Sequence, residues 1–248
     1  MTAPMLREVF IDPQGGAPAD GMRIGDLVFA PLLRARPAGG PAGEERTRAQ
    51  LAEVLDTMDR FLDAAGATRG DVVRVTFFLR DVLERPILND VWERWYPDAA
   101  DRPPHKYVPG VHPDGVNVAI QVLALLGARR EVLEIPGVQH GDPMSMGALT
   151  ANLVTSSRLF GAQEDLDDQI TLILERAAIL LGGAGGGLGN LTQATFFVGS
   201  GEIGEAVRRR WDAEPPAEGA RMHIIEADLG GGNGYPRVEI LGLVDHQE

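Results

Sequence analysis

The tetrapeptide Thr76-Phe77-Phe78-Leu79 recurs as Thr195-Phe196-Phe197-Val198, at an offset of 119 residues. Each copy ends a run that is rich in β-branched and aromatic residues, a composition typical of a buried strand. A repeated strand at one fixed offset indicates that a structural unit occurs twice in the chain.

Other segments repeat in the same order along the chain. The pairs are Arg7-Glu8-Val9 with Arg130-Glu131-Val132, Asp26-Leu27-Val28 with Asn152-Leu153-Val154, Trp95 with Trp211, and residues 116–126 with 236–243. Their offsets differ slightly, as insertions and deletions in loops would produce. We therefore predict a tandem duplication, with an N-terminal domain over residues 1–128 and a C-terminal domain over residues 129–248.

Hydrophobic periodicity predicts the same order of elements in both halves. In the first half we expect strands at 9–11 and 27–33, a helix at 44–65 capped by Gly66, a strand at 71–79, a helix at 84–95, and strands at 106–109 and 116–125. In the second half we expect a helix starting at Asp165, a strand at 191–198, a helix at 202–211, and strands at 222–227 and 237–244. The predicted fold class is α+β, with each half a mixed sheet that carries two helices on one face.

Composition and charge exclude several function classes. The chain has 248 residues with 23 basic and 36 acidic side chains, a net charge of −13, which disfavours binding to nucleic acid. The sequence contains no cysteine, so disulfides, thiol catalysis and zinc–thiolate sites are ruled out. Lys106 is the sole lysine, which leaves one position for Schiff-base chemistry. We expect a cytoplasmic protein, since no membrane span or secretory signal pattern is present.

Familiar ligand motifs are absent or in the wrong context. The glycine-rich runs at 181–190 and 229–235 lack the strand-then-helix order of a dinucleotide site and are interpreted as turns. The histidines lack helical metal-ligand spacing, although His105 and His112 bracket one loop. A Gly-x-Ser-x-Gly elbow does not occur. We therefore predict no metal and no cofactor.

Two charged residues near the C-terminus are the candidates for chemistry. Arg221 stands at the start of a predicted strand, where its guanidinium can bind a carboxylate with two hydrogen bonds, although a surface salt bridge is the commoner role. Glu239 lies between Val238 and Ile240, so strand alternation turns its carboxylate to the opposite face, towards solvent or a site.

These segments resemble the RidA (YjgF) family of reactive imine and enamine deaminases. The resemblance rests on Gly70-Asp71-Val72-Val73, on the repeated tetrapeptide, and on Ala220-Arg221 followed by Val238-Glu239. It implies a chorismate-mutase-like unit that assembles in a ring of three, with clefts between neighbouring units. It also implies that Arg221 grips the carboxylate of a 2-imino acid, and that Glu239 positions the water that adds to C=N and releases ammonia.

The sequence departs from the family pattern at several positions. In the first half the arginine position is interpreted as His105 and the glutamate position as Ala119, so this half looks degenerate. The family's tyrosine falls on Pro18 and Met144. The family's Ser-Gly becomes Pro31-Leu32 in one half and Ser157-Arg158 in the other. The predicted site therefore consists of Arg221 and Glu239 as catalytic groups, with Arg158, Ser157 and His105 as further substrate contacts.

Three functions remain open on sequence grounds. The first is a RidA-like enzyme that deaminates a small carboxylate-bearing imine or enamine, with a biosynthetic pathway as one setting for it. The second is a chorismatase-like hydrolase, since those enzymes also resemble two such units in one chain. The third is a non-catalytic metabolite-binding or scaffold protein. The expected partners are a small carboxylate metabolite and other copies of the chain, with a trimer favoured.

Overall fold

The computed structural model describes residues 6–11, 19–39, 43–139, 142–227 and 235–245. The chain forms two compact units, Met1–Arg130 and Glu131–Glu248. Pro18, most of the glycine-rich run at 229–235, and two of the five histidines, His140 and His246, lie outside the described residues.

The first unit is a mixed six-stranded sheet with two helices. Its elements are β1 (Leu6–Val9), β2 (Gly21–Ile24), β3 (Leu27–Arg34), α1 (Glu44–Ala65), β4 (Val72–Leu79), α2 (Arg85–Trp95), β5 (His105–Pro109) and β6 (Val118–Leu125). The strand order is β1-β2-β3-β6-β4-β5, in which only β4 and β5 run parallel.

The second sheet repeats this plan. Its elements are β7 (Arg130–Leu133), β8 (Gly147–Thr150), β9 (Leu153–Ser156), β10 (Leu159–Phe160), α3 (Leu166–Gly183), β11 (Leu191–Val198), α4 (Gly201–Ala213), β12 (Arg221–Glu226) and β13 (Arg237–Leu243). The order is β12-β11-β13-β9-β8-β7, with β10 paired to β13 and with β11 parallel to β12. The predicted α+β class with two mixed sheets is confirmed.

Local sequence signals placed the long elements well. The helix predicted at 44–65 has those bounds, and Gly66 ends it in the left-handed conformation with φ 78°. The carboxylate of Asp165 caps α3 by accepting hydrogen bonds from the backbone N–H groups of Asp167 and Asp168.

The short strands were missed or misplaced. The first strand is Leu6–Val9 and not 9–11, and β2, β7, β8 and β10 were not predicted. Strands of two to four residues show too few alternations to be recognised, and they form because a neighbouring strand supplies their hydrogen bonds.

Each unit buries an aromatic pair between its sheet and its second helix. Phe77 meets Trp92 edge to face at 5.3 Å between ring centroids, and Phe196 meets Trp211 in the same way at 6.2 Å. The offset of 119 residues relates Phe77 to Phe196 and Trp92 to Trp211, so Trp92 is the counterpart of Trp211. The match of Trp95 with Trp211 was wrong. Trp95 instead packs against Arg69, whose guanidinium carbon lies 3.9 Å from the centroid of the Trp95 ring.

The helices cover one face of each sheet. In the second sheet, the alternate residues Ala194, Phe196, Val198, Val238 and Ile240 join the core beneath α3 and α4. The residues between them therefore lie on the opposite face, which we call the helix-free face of that sheet.

Candidate functional site on the second sheet

Strand register assembles a row of three side chains around Glu239. Thr195 on β11 lies opposite Glu239 on β13 and opposite His223 on β12. Paired residues in neighbouring strands point to the same face, so all three belong to the helix-free face. Glu239 and Thr195 are each 5% exposed, whereas His223 is exposed on the outer strand. The row therefore runs from an accessible sheet edge to a buried carboxylate.

Arg221 shares this face with the row. Its strand neighbours Met222 and Ile224 pack against the core, so Arg221 and His223 point the other way. Arg221 is in register with Gln193, two residues along β11 from Thr195, and its side chain is exposed. The two predicted catalytic residues, Arg221 on β12 and Glu239 on β13, thus lie on one face with β11 between them.

Thr195 was not singled out from the sequence, although it belongs to the repeated tetrapeptide. Its hydroxyl oxygen accepts a hydrogen bond of 3.1 Å from the Gln193 side-chain amide. Glu239 is the register partner of Thr195 on β13. Strand alternation in the sequence shows which residues of β13 share a face with Glu239. It does not show that Thr195 on β11 and His223 on β12 lie beside Glu239, because that depends on how the three strands pair.

Arg158 reaches the same face beside an aromatic ring. Its guanidinium carbon lies 5.7 Å from the ring centroid of Phe197, a contact in the range of cation–π attraction. Phe197 is in register with Arg237. Arg158 and Arg237 therefore lie beside Phe197 on this face. Gln193 lies at the other end, with Thr195 between Gln193 and Phe197.

Ser157 holds the backbone in place. It is fully buried, its hydroxyl donates to the Ser145 carbonyl at 2.7 Å, and its N–H donates to the Met146 carbonyl at 2.9 Å. The neighbouring Ser156 hydroxyl accepts from the Ile240 N–H at 2.9 Å. These bonds fix the position of Ser157 just after β9, and its predicted role as a substrate contact stays a prediction.

The first unit carries different residues at the matching positions. There, Thr76 lies opposite Gln121 on β6 and Lys106 on β5. Because Thr76 corresponds to Thr195, Gln121 is the counterpart of Glu239, and Ala119 is not. An irregularity in pairing at the same point of β4 and β11 confirms this alignment. The carboxylate of the second unit is thus replaced by an amide in the first.

His105 lies on the opposite face of the first sheet. Register makes Lys106 the counterpart of His223, and so places Pro104, two residues earlier, at the position of Arg221. His105 is fully buried beside the rings of Phe77 and Trp92, and its Nε2 is 2.8 Å from the Tyr107 hydroxyl. Strand alternation turns His105 towards α2 and into the core, and its predicted role as a substrate contact stays a prediction.

Neither a metal cluster nor a membrane span is found in the described part of the chain. No group of three or more histidine or acidic side chains is arranged to hold a metal ion among these residues. His112, the other candidate of the loop, is buried, and burial together with the Arg80 charge lowers its pKa. None of the described helices is both long and apolar enough to cross a bilayer.

Comparison with known proteins agrees with the repeated unit. The family model described as Endoribonuclease L-PSP, which is the RidA/YjgF family, matches residues 22–126. A RutC family protein from Pyrococcus abyssi is 25% identical over 97 residues, covering 37% of this chain and 76% of the relative. Residues 22–126 of the chain therefore resemble the RidA (YjgF) family.

A solved structure extends the fold likeness to most of the chain. A crystal structure of a chorismatase superposes with a TM-score of 0.62 at 14% identity, covering 90% of this chain and 76% of the chorismatase. This likeness shows a common fold. A YjgF family protein from Neisseria meningitidis is 23% identical with a TM-score of 0.42, covering 50% of this chain and 97% of its own.

Proposed function

We propose that this protein hydrolyses an imine or enamine of a small carboxylic acid and releases ammonia. The observation that carries the proposal is that Arg221 and Glu239 share the helix-free face of the second sheet, with one strand, β11, between them. A guanidinium and a carboxylate at that separation suit a substrate whose carboxylate is a few bonds from its reacting carbon.

Each group has a separate task in this reaction. Arg221 binds the substrate carboxylate with two parallel N–H···O bonds, which fixes both position and orientation. Glu239 accepts a proton from water as the water oxygen bonds to the C=N carbon. The carbon is already electrophilic, so the step needs no cofactor. Breaking the C–N bond of the resulting carbinolamine gives the carbonyl product and ammonia.

The second unit alone has the groups for this chemistry. Gln121, the first unit's counterpart of Glu239, has a neutral amide that takes no proton from water near neutral pH. Arg158 beside Phe197 supplies a second positive charge at the far end of the face. We therefore assign the C-terminal unit as catalytic and the N-terminal unit as a degenerate copy, with the domain boundary near residues 128–131.

A chorismatase-like hydrolysis is the second candidate. It is favoured by the fold likeness to a chorismatase over 90% of this chain. In that reaction Arg221 and Arg158 would bind the two carboxylates of chorismate, and pyruvate would be the released product.

One set of assays separates the candidates. The protein is incubated with imino acids generated in place by an amino acid oxidase, and ammonia release is compared with the rate without protein. A parallel incubation with chorismate is assayed for pyruvate. Faster ammonia release supports the deaminase, pyruvate release supports the hydrolase, and ligand binding without either product would identify a non-catalytic binding protein.

A further inference from the structure

On the helix-free face of the second sheet, we call the position of Thr195 between its longer neighbours the notch. Thr195 has a short side chain and stands between two longer ones, His223 on one neighbouring strand and Glu239 on the other. Along β11, Gln193 and Phe197 lie on the same face before and after it. The floor of the notch is therefore the Thr195 hydroxyl, with a side chain standing on each of its four sides.

The dimensions of a sheet fit a small planar group into this notch. Neighbouring strands are about 4.8 Å apart, so the Cα atoms of His223 and Glu239 are separated by about 10 Å. Both side chains are longer than that of Thr195 and belong to the same face. Arg221 stands next to His223 on the same strand and face, in line to hold a carboxylate attached to the group in the notch.

We propose that His223 is a further catalytic residue, the acid that protonates the substrate nitrogen while Glu239 takes the proton from water. This inference rests on the proposed deaminase function. It follows from the placement of an imidazole and a carboxylate on opposite sides of one short hydroxyl side chain. Imidazole is the side chain suited to both giving and taking a proton near neutral pH.

The protons balance over the two steps. In the first, Glu239 accepts a proton from water, the water oxygen bonds to carbon, the C=N π electrons move to nitrogen, and the His223 imidazolium gives nitrogen a proton. In the second, Glu239 returns its proton to nitrogen, the C–N bond breaks with its electrons going to the departing ammonia, and the carbinolamine hydroxyl gives its proton to His223. Both side chains end as they began.

The environment of His223 is compatible with this exchange. His223 is exposed at the outer strand, so protons reach it from solvent. The charged groups on its face are Arg221 on β12, Glu239 and Arg237 on β13, and Arg158 beside Phe197. On β11, which pairs with β12 in the described part of the chain, the residues of this face are uncharged. The other face of β12 packs on α4 and does not meet the imidazole.

His223→Gln and His223→Ala in the full chain test the proposal. We expect kcat for ammonia release to fall about 100-fold or more, with KM within about twofold, because the acid acts in the transition state. Added imidazole is expected to restore part of the activity of His223→Ala. Glu226→Gln, which removes a charge from the end of the same strand outside the row, serves as the matched control and keeps wild-type kcat.

The possible failures are distinguishable. A wild-type protein that releases no ammonia above the uncatalysed rate overturns the deaminase function and this inference together. A wild-type protein that is active, with His223→Gln at wild-type kcat, overturns the role of His223 and leaves the deaminase function standing. A loss in His223→Ala that appears only in KM, or that imidazole does not relieve, also overturns the proton-transfer role.

Discussion

At the residue scale, an amide nitrogen stands in the first half of the molecule where a carboxylate oxygen stands in the second. Gln121 and Glu239 occupy corresponding places opposite Thr76 and Thr195. Their shapes are nearly the same, so both fit the sheet. Glu239 can hold a proton and Gln121 cannot, so the duplicated fold carries two chemically different positions.

This difference predicts unequal effects of substitution. We expect Glu239→Gln to lower kcat for ammonia release by about 10²-fold or more while KM stays within a few-fold, since a general base acts mainly in the transition state. Gln121→Ala, the matched change in the first unit, is expected to leave kcat unchanged. Steady-state kinetics on both variants provide the measurement, and equal losses in both would contradict the assignment of chemistry to the second unit.

Arg221 gives a second prediction at this scale. If its guanidinium binds the substrate carboxylate at two points, Arg221→Ala should weaken transition-state binding by about 3–5 kcal/mol, a loss of two orders of magnitude or more in kcat/KM. Arg221→Lys keeps the charge without the planar fork and should recover only part of the loss. Exposed Arg208 on α4, changed to alanine, is the control. Full activity in Arg221→Ala would show that this arginine is an ordinary surface residue.

At the element scale, buried glutamines tie the first helix of each unit to its surroundings. The Gln50 amide on α1 donates to the carbonyls of Arg36 and Gly115 at 3.0 and 2.7 Å, and its oxygen accepts from the Asn117 N–H at 2.7 Å. Gln169 on α3, at the same offset of 119, donates to the Gln163 carbonyl at 2.7 Å. The side-chain oxygen of Gln169 is buried without a hydrogen-bond partner in the described structure.

These contacts predict that the two glutamines contribute unequally to stability. Gln50→Leu leaves the buried Asn117 N–H without its acceptor and removes one of the two donors to the Gly115 carbonyl, so it should lower the free energy of unfolding by about 1–3 kcal/mol. Gln169→Leu breaks one bond and removes an unsatisfied oxygen, so we expect a smaller loss. Differential scanning calorimetry of the two variants measures the difference, and a larger loss for Gln169→Leu would refute the reasoning.

How much of each element was predictable depended on its length. The eight residues of β4 and β11 carry enough apolar and β-branched side chains to be recognised alone. The register between strands was not readable in this way, which is why Ala119 was matched with Glu239 and Trp95 with Trp211. Pairing is decided by hydrogen bonds between distant segments, and a slip of one residue reverses every side chain of a strand.

At the scale of the whole molecule, the first sheet exposes an apolar surface. Leu6 on β1, Met22 and Ile24 on β2, and Leu27 and Phe29 on β3 are between 37% and 58% exposed. Strand register places them side by side on the helix-free face of that sheet, since Val28 and Ala30 between them are fully buried. A contiguous apolar patch of this kind marks an interaction surface.

This surface supports the prediction that the chain forms a trimer. Light scattering on the purified protein should give a mass about three times the 26.6 kDa of one chain. Phe29→Glu, which places a charge in the patch, should shift the mass towards one chain. Leu83→Glu alters a leucine that is 77% exposed outside the sheet and should leave the trimer intact. A native mass near 26.6 kDa would overturn the prediction.

The amino-acid sequence by itself determined the duplication, the α+β class, the two helices of each half and the resemblance to the RidA family. These features depend on periodicity and short repeats, which a linear string records. Tertiary structure alone decided that Thr195 and His223 stand in one row with Glu239, that Gln121 is the first unit's counterpart of Glu239, and that the side chains of Ser157 and His105 are buried. Those relations arise from the pairing of strands and from the side of the sheet that each residue faces, and segments tens of residues apart set both.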